Sequence, residues 1–293
     1  MRPERRRAGA RFALAAALAL AAAGCGDGGS ADSLAKARRE GTIRVGFANE
    51  PPYAYQESGS GRLTGEAPEI ARAVLKDLGI GEIEGVLTEF GSLIPGLQAG
   101  RFDVIAAGMY ILPERCAQIA FSNPTYSVGE AFIVAKGNPL GLHGYADVAK
   151  HPAARLGVVA GAVERSYARA SAIPDDRVIV FPDAPGALEG VAAGRVEAYA
   201  GTSLTVNSLL ARADSQAIER AAPFEDPVID GKSVRGYGAF GFRKDDRRLL
   251  EAFNEALARY VGSPQHLEAV GPFGFTAAEL PKGATAASLC NPS

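Results

Sequence analysis

Arg115 has the clearest chemical potential in this chain, and it sits in the block GLQAGRFDVIAAGMYILPERCAQIAFSNPT at residues 96–125. Residues 103–109 form a short, almost wholly apolar run, which suits a strand covered on both faces in a mainly parallel sheet. Pro113 suits the first position of a helix, because its φ is fixed and the N–H it lacks would have no partner there. A cation in that first turn opposes the helix dipole, where acids are usually favoured, so the arrangement asks for an anion. Free helix N–H groups and the Arg115 guanidinium would together clamp a carboxylate or phosphate at the carboxyl end of a strand. Tyr110 lies in the same loop. From this block alone, a surface arginine paired with Glu114 or another acid is an equally good reading.

The elements that must position Arg115 alternate between strand and helix. Residues 42–48 (TIRVGFA) read as a strand, and 65–78 read as a helix, with Glu66, Pro68 and Glu69 ahead of apolar positions at helical spacing. A strand at 84–89, a helix at 92–99 stopped by Gly100, and the strand at 103–109 complete a βαβαβ unit. Such a unit implies a parallel sheet with ligands at the carboxyl ends of its strands. The order restarts with strand 156–159, helix 161–170, strand 177–181, helix 184–193 closed by Gly194, and strand 196–200. Two units predict two lobes. The run 131–135 is strand-like and then broken by Lys136, Gly137, Asn138 and Pro139, and it reads as a crossing between them. After strand 237–242 and the charged run 243–248, an amphipathic helix at 249–261 reads as belonging to the first lobe, reached by a second crossing near 230–238. Two crossings make a hinge, and closure about a hinge is a recognised response to a ligand.

At the N-terminus Arg2, Arg5, Arg6, Arg7 and Arg11 precede an apolar run at 12–23. That run is short of the ~20 residues of a membrane span, and its basic front and small-residue exit read as a signal peptide over 1–24. Small residues before Cys25 and a flexible tether at 26–30 resemble a bacterial lipoprotein processing site. Cys25 is then the first mature residue and carries lipid, although Ala22 stands where leucine is usual; ordinary cleavage beyond Ala23 is the alternative. The expected location is periplasmic or otherwise extracytoplasmic. Cys116 and Cys290 remain as a pair in an oxidising compartment, and a bridge tying the C-terminal tail to the helix after Pro113 is expected, with two free thiols as the alternative. With 47% hydrophobic residues and a formal charge of -2, the chain has no basic stripe for nucleic acid. His143, His151 and His266 lack carboxylate or cysteine companions, so neither a metal nor a cofactor is expected. The mature length exceeds a usual single core and fits two modest lobes.

The segments TIRVGFANEPPYAY, LTGEAPEIARAVLKDLG, GLQAGRFDVIAAGMYILPERCAQIAFSNPTYSVGEAFIVAKGNP and LEGVAAGRVEAYAGT give the resemblance. Across essentially the whole mature chain they fall in the order seen in solute-binding proteins of polar amino-acid ABC importers. NEPPY, GEAPEI, LTEFGSLIPGL and AAGMYILPERC are most similar to the ectoine and hydroxyectoine binding branch. The resemblance implies an α/β, two-lobed periplasmic-binding-protein fold of type II, each lobe a mainly parallel sheet flanked by helices, joined by two hinge crossovers. It divides the chain into a tether and lead-in at 25–39, lobe 1 at 40–134, lobe 2 at 135–232, and the return to lobe 1 with C-terminal helices at 233–293. It implies a monomeric binding protein, not an enzyme, that hands its solute to membrane permease subunits.

Carried over by position, Arg115 matches the arginine that clamps the ligand carboxylate, with the backbone N–H of Leu112 as its companion. Glu50 and Tyr53 follow the first strand, Phe90 follows the second, and Tyr110 follows the third. Rings so placed can hold a weakly hydrated, delocalised cation at about 0.5–2 kcal/mol per contact; a core position is the alternative for Phe90. In the second lobe, N–H groups from Gly161 to Val163 face the carboxylate and Glu164 answers the cation. A routine first-turn acid is the alternative for Glu164. Val163 stands where ectoine-binding relatives commonly carry threonine, which loses a hydroxyl contact and keeps a backbone one. Gly201 and Thr202 stand where amino-acid binders place an aspartate for the ligand's ammonium. An unpaired buried ammonium costs about 1–3 kcal/mol, whereas a cyclic amidinium needs that acid less. Ectoine or hydroxyectoine is therefore the expected ligand, with polar amino acids, proline-like solutes and betaines as alternatives. The fold also resembles the periplasmic cyclohexadienyl dehydratases, in which Glu50 or Glu164 would act as general acid.

Overall fold

The strand Val104–Tyr110 is buried at nearly every position, and the topology explains why: it lies at the middle of the first sheet. That sheet runs in the order Glu82–Leu87, Thr42–Phe47, Val104–Tyr110, Gly236–Phe242, Ala120–Phe121, the first three parallel and Gly236–Phe242 antiparallel to its neighbours. The helix Glu66–Asp77 buries Ala67, Ile70, Ala71, Val74 and Leu75, the i, i+3, i+4, i+7, i+8 stripe of a helix laid on a core. The helix Arg247–Tyr260 buries Leu249, Phe253, Ala256 and Leu257 beside it. Phe253 meets the rings of Phe240 and Phe242 with centroids 4.8 and 5.2 Å apart. This computed structural model describes residues 32–213, 216–229 and 231–292; the expected signal peptide at 1–24, Cys25 and the tether at 26–30 lie outside them.

The second sheet runs Val178–Phe181, Leu156–Val159, Ala198–Thr202, Glu130–Ala135, Ile218–Arg220, again three parallel strands followed by antiparallel ones. Each lobe is thus a mixed sheet with helices on its faces. The stretch 131–135, expected as a strand-like crossing, lies wholly within this second sheet, because Ala131, Phe132, Ile133 and Val134 are all buried in its core. The chain crosses earlier, at Gly129: Tyr126–Val128 still pairs with Gly236–Phe242 of the first sheet. A lobe boundary at 134/135 is therefore too late. The return crossing lies before Gly236, from which the chain is already a first-sheet strand.

Four further differences concern helices. The lead-in at 25–39 contains the helix Ser33–Glu40, capped by Asp32 accepting from the Ala35 N–H and packed on the first lobe through Leu34 and Ala37. The helix expected over 161–170 begins at Glu164, and that after Pro113 is one turn, Pro113–Cys116. A helix that sequence did not announce, Ser203–Arg212, follows Ala198–Thr202, and Thr202 caps it by accepting from the Thr205 N–H. Cys116 and Cys290 form a disulfide, which fastens the C-terminal helix Ala286–Cys290 to the turn carrying Arg115. Among the described residues no helix is long and apolar enough to cross a membrane, and no group of three or more His, Cys, Asp or Glu is placed to hold a metal.

Candidate ligand-binding site

The carboxyl ends of the first-sheet strands face those of the second across a cleft that closes on a small cavity of about 30 Å³. From the first lobe it is lined by Glu50, Tyr53, Phe90, Ala107, Gly108, Tyr110 and Arg115, and from the second by Ala162, Val163, Glu164 and Thr202. Seven of the eight sequence-selected binding residues meet there; Leu112 is not among the lining residues. Leu112 is instead the cap of the Pro113–Cys116 turn, and its carbonyl accepts from the Arg115 and Cys116 N–H groups.

Arg115 is 7% exposed, so the reading as a surface arginine fails, and Glu114, its proposed surface partner, is exposed. Its guanidinium donates to the Tyr110 carbonyl at 2.9 Å and, across the cleft, to the Gly161 carbonyl at 2.9 Å. The guanidinium carbon also lies 5.6 Å from the centroid of the Phe90 ring, within cation–π range. Two carbonyl bonds use part of a five-donor fork, which leaves N–H groups for a ligand oxygen. Burial lowers the Arg115 pKa, opposed first by the neighbouring Glu164 charge.

Phe90 does not choose between core and site. It lines the cavity while packing against apolar clusters of both lobes, one containing Ile133 and Tyr199 and the other Leu93 and Met109. Tyr53 stacks on Tyr126 at 5.2 Å, and Tyr126 fixes the end of the central strand by donating to the Gly108 carbonyl at 2.7 Å. Gly108 has φ +64°, and a Cβ there would stand 2.6 Å from the Tyr53 ring, so glycine is what lets the tyrosine reach the cavity wall. The Tyr110 hydroxyl is buried without a hydrogen-bond partner among the described residues. Burial pushes both phenols well above their ordinary range and keeps them protonated.

Glu50 and Glu164 are both buried acids, but their surroundings differ. Burial raises Glu50, and the hydroxyl of Thr205, donating to its Oε1 at 2.8 Å, opposes that rise. Burial pushes Glu164 up to about 7; the Glu50 charge adds to this, and its own backbone N–H and Arg115 oppose it. Glu164 opens its helix directly after Val163, so its carboxyl is held at the cavity wall. Sequence reasoning missed Thr205 and did not count Thr202 among the site residues. Tyr53 Oη and Thr202 Oγ1 are 2.7 Å apart, and Thr202 in turn donates to Thr205 Oγ1 at 3.0 Å. The findable signal was a threonine at the end of an apolar strand, which is a helix cap as readily as a loop residue.

The match to a family model covers residues 43–268, and the chain belongs to the bacterial extracellular solute-binding proteins, family 3. Members of this class bind small solutes and deliver them to ABC transporter permeases. The chain is 40% identical over 245 residues to the "Probable amino-acid ABC transporter periplasmic-binding protein y4tE" of Sinorhizobium fredii, which covers 83% of this chain and 80% of that one. It is 26% identical over 220 residues to the histidine-binding periplasmic protein of Salmonella typhimurium, covering 74% and 81%. Among solved structures, EhuB in complex with hydroxyectoine superposes with a TM-score of 0.81 at 36% identity, covering 89% of this chain and 99% of that one.

Proposed function

We propose that this protein captures ectoine or hydroxyectoine outside the cytoplasmic membrane and delivers it to the permease subunits of an ABC importer. The observation that carries the reading is a single small cavity in which a buried guanidinium, two buried acids and aromatic faces converge. In this reading Arg115 takes the carboxylate, helped by main-chain N–H groups beside Leu112 and Val163. Glu50 and Glu164 share the spread charge of the amidinium from two sides, while Tyr53, Phe90 and Tyr110 face its ring. Thr202, whose hydroxyl is engaged by Tyr53 and Thr205, stands where a primary ammonium would want an acid. The structure carrying hydroxyectoine supports the same ligand class. Both lobes touch the solute, so its binding favours closure by its differential affinity for the closed form. The protein works as a monomer held at the membrane by lipid on Cys25.

Calorimetric titration of the mature protein with ectoine, hydroxyectoine, proline, glutamine and arginine tests this directly. Heat is expected with ectoine or its hydroxylated form; clear binding of an amino acid with none to either overturns the specificity. One observation favours a second reading. A Glu164 carboxyl that burial pushes up to about 7 beside an arginine has the properties of a general acid, as a dehydratase of this fold would need. Incubation with prephenate and arogenate decides it, and no turnover is expected.

A further inference from the structure

The helix Ser203–Arg212 brings Thr205 to the cleft, yet two of its contacts with the first lobe lie outside the cavity. Its start is fixed at the first crossing, where the Ser203 N–H donates to the Gly129 carbonyl at 2.9 Å. Its last residue, Arg212, places its guanidinium carbon 4.7 Å from the centroid of the Tyr55 ring. Tyr55 belongs to the first lobe, in the small hairpin that pairs Tyr55–Gln56 with Leu63–Thr64. Arg212 and Tyr55 therefore meet from opposite lobes, and neither is among the residues that line the cavity. Arg212 is exposed and Tyr55 half-buried.

The returning C-terminal segment of the first lobe forms a seat for this helix. Phe273 meets Tyr55 edge to face, with centroids 6.5 Å apart. A Cβ on Gly274 would stand 3.7 Å from Leu204 Cδ2, so the space beside this bare backbone is taken by a second-lobe side chain. Phe275 packs on Tyr53 and Tyr126, with centroids 5.7 and 5.2 Å apart. Three successive residues thus join the surface contact to the wall of the cavity, which Tyr53 lines. Leu204 and Arg212 are eight residues apart, on one stripe of the helix and about 12 Å along its axis.

A contact between lobes exists only when they are closed, so its free energy counts wholly toward the closed state. The apparent affinity for a solute scales with the fraction of protein able to hold it. A contact that does not touch the solute therefore changes affinity for every solute by the same factor.

We propose that Arg212 and Tyr55 form an external latch: the guanidinium stacked on the ring, seated on Phe273 and flanked by Leu204 at Gly274, holds the closed lobes together and slows release of the solute. The latch rests on the capture of a solute by closure proposed above, and not on that solute being ectoine. Selectivity stays with the cavity, and residence time is set in part at the surface.

The test measures association and release by stopped flow, and affinity by calorimetry, in Arg212→Gln, Tyr55→Leu and the double variant of the mature protein. Each single variant is expected to release solute about two- to fivefold faster, the range of an exposed cation–π contact, with little change in association. The double variant is expected to lose no more than one single variant, because either change already breaks the pair. Arg212→Lys and Tyr55→Phe keep the cation and the ring, and both are expected within about twofold of wild type. Unchanged release in Arg212→Gln overturns the latch, and this exposed position tests it even if Tyr55→Leu disturbs the hairpin. Losses that multiply in the double variant overturn it as well. Titration with ectoine, hydroxyectoine, proline, glutamine and arginine gives the remaining outcome: the factor is expected to be the same for every solute that binds, and a loss confined to one of them overturns the latch by placing these residues in the ligand site. Should an amino acid bind and neither ectoine nor hydroxyectoine do so, the ligand reading fails and the latch is read from that amino acid.

Discussion

Thr205 in the second lobe donates its hydroxyl hydrogen across the cleft to Glu50 in the first, at 2.8 Å. The direction of this bond orders its neighbours. Thr202 must donate to Thr205, and Tyr53 must donate to Thr202, so a three-bond chain leaves the first lobe at Tyr53 and returns to it at Glu50. Chains of this kind polarise one another and are worth more than isolated bonds.

Replacing Thr205 with valine keeps the shape and strips Glu50 of this partner. The expected loss is about 1–3 kcal/mol of closed-state stability, seen as weaker solute binding, because a buried acceptor is left unmade. Calorimetry reads the affinity and small-angle scattering reads the extent of closure; unchanged values in both would show that the chain does not hold the lobes together.

Arg115→Met should weaken binding by roughly 1.5–3 kcal/mol, the range of a hydrogen bond to a charged group. Arg115→Lys should not restore it. A lysine keeps the charge but lacks the planar fork that reaches Tyr110 and Gly161 at once. An affinity within a few-fold of wild type for either variant would remove the clamp from the mechanism.

Burial gives a pH dependence with a fixed sign. Glu66, whose Oε1 accepts from Thr125 at 2.7 Å, is pushed up to about 8 and Glu164 to about 7, from an ordinary 4.5. Both folded-state values lie above the unfolded one, so the folded chain holds protons that the unfolded chain has already lost. Their contribution to stability is full below about 4.5, falls as pH rises, and levels off above about 7 for Glu164 and 8 for Glu66. Thermal melts of ligand-free Glu66→Gln between pH 5 and 8 should show a shallower decline than wild type. Cation capture has the opposite trend: it favours ionised Glu164, so affinity should climb toward pH 7 with proton release, measurable in buffers of different ionisation enthalpy.

Reduction of the Cys116–Cys290 bridge should cost about 2–4 kcal/mol of stability, since it closes a long loop in the unfolded chain. Solute affinity should fall as well, because the bridge fastens the single turn that carries Arg115. A melt that is the same with and without reductant, on protein whose thiols are shown to be free, would argue that Asn123 and the apolar contacts of Leu289 suffice.

Much of this was legible in sequence because the strands are apolar runs and the helices carry their stripes and stops. Arg115 was visible because a cation stands where the helix dipole disfavours one. What was not legible depended on partners. The strand-like run 131–135 was taken for the crossing because nothing local tells which lobe's sheet an apolar strand will join. Leu112 was assigned to the ligand by resemblance, through its backbone N–H; what sequence did not announce is that its carbonyl caps the Pro113–Cys116 turn. Thr205 lies in SLTVNSLLAR, where no charge marks the helix start, and it gains its role only when the opposite lobe brings Glu50 to it.

Gly91 and Gly161 meet where the lobes touch, and a Cβ on Gly161, whose φ is +76°, would come within 2.6 Å of the Gly91 Cα. At this point the jaws close main chain on main chain. Side chains can change rotamer to admit a larger guest, but two bare backbones have nothing to fold away. On the function proposed above, the contact would act as a calliper stop: a solute bulky enough to hold these two residues apart would also pull the Gly161 carbonyl off Arg115.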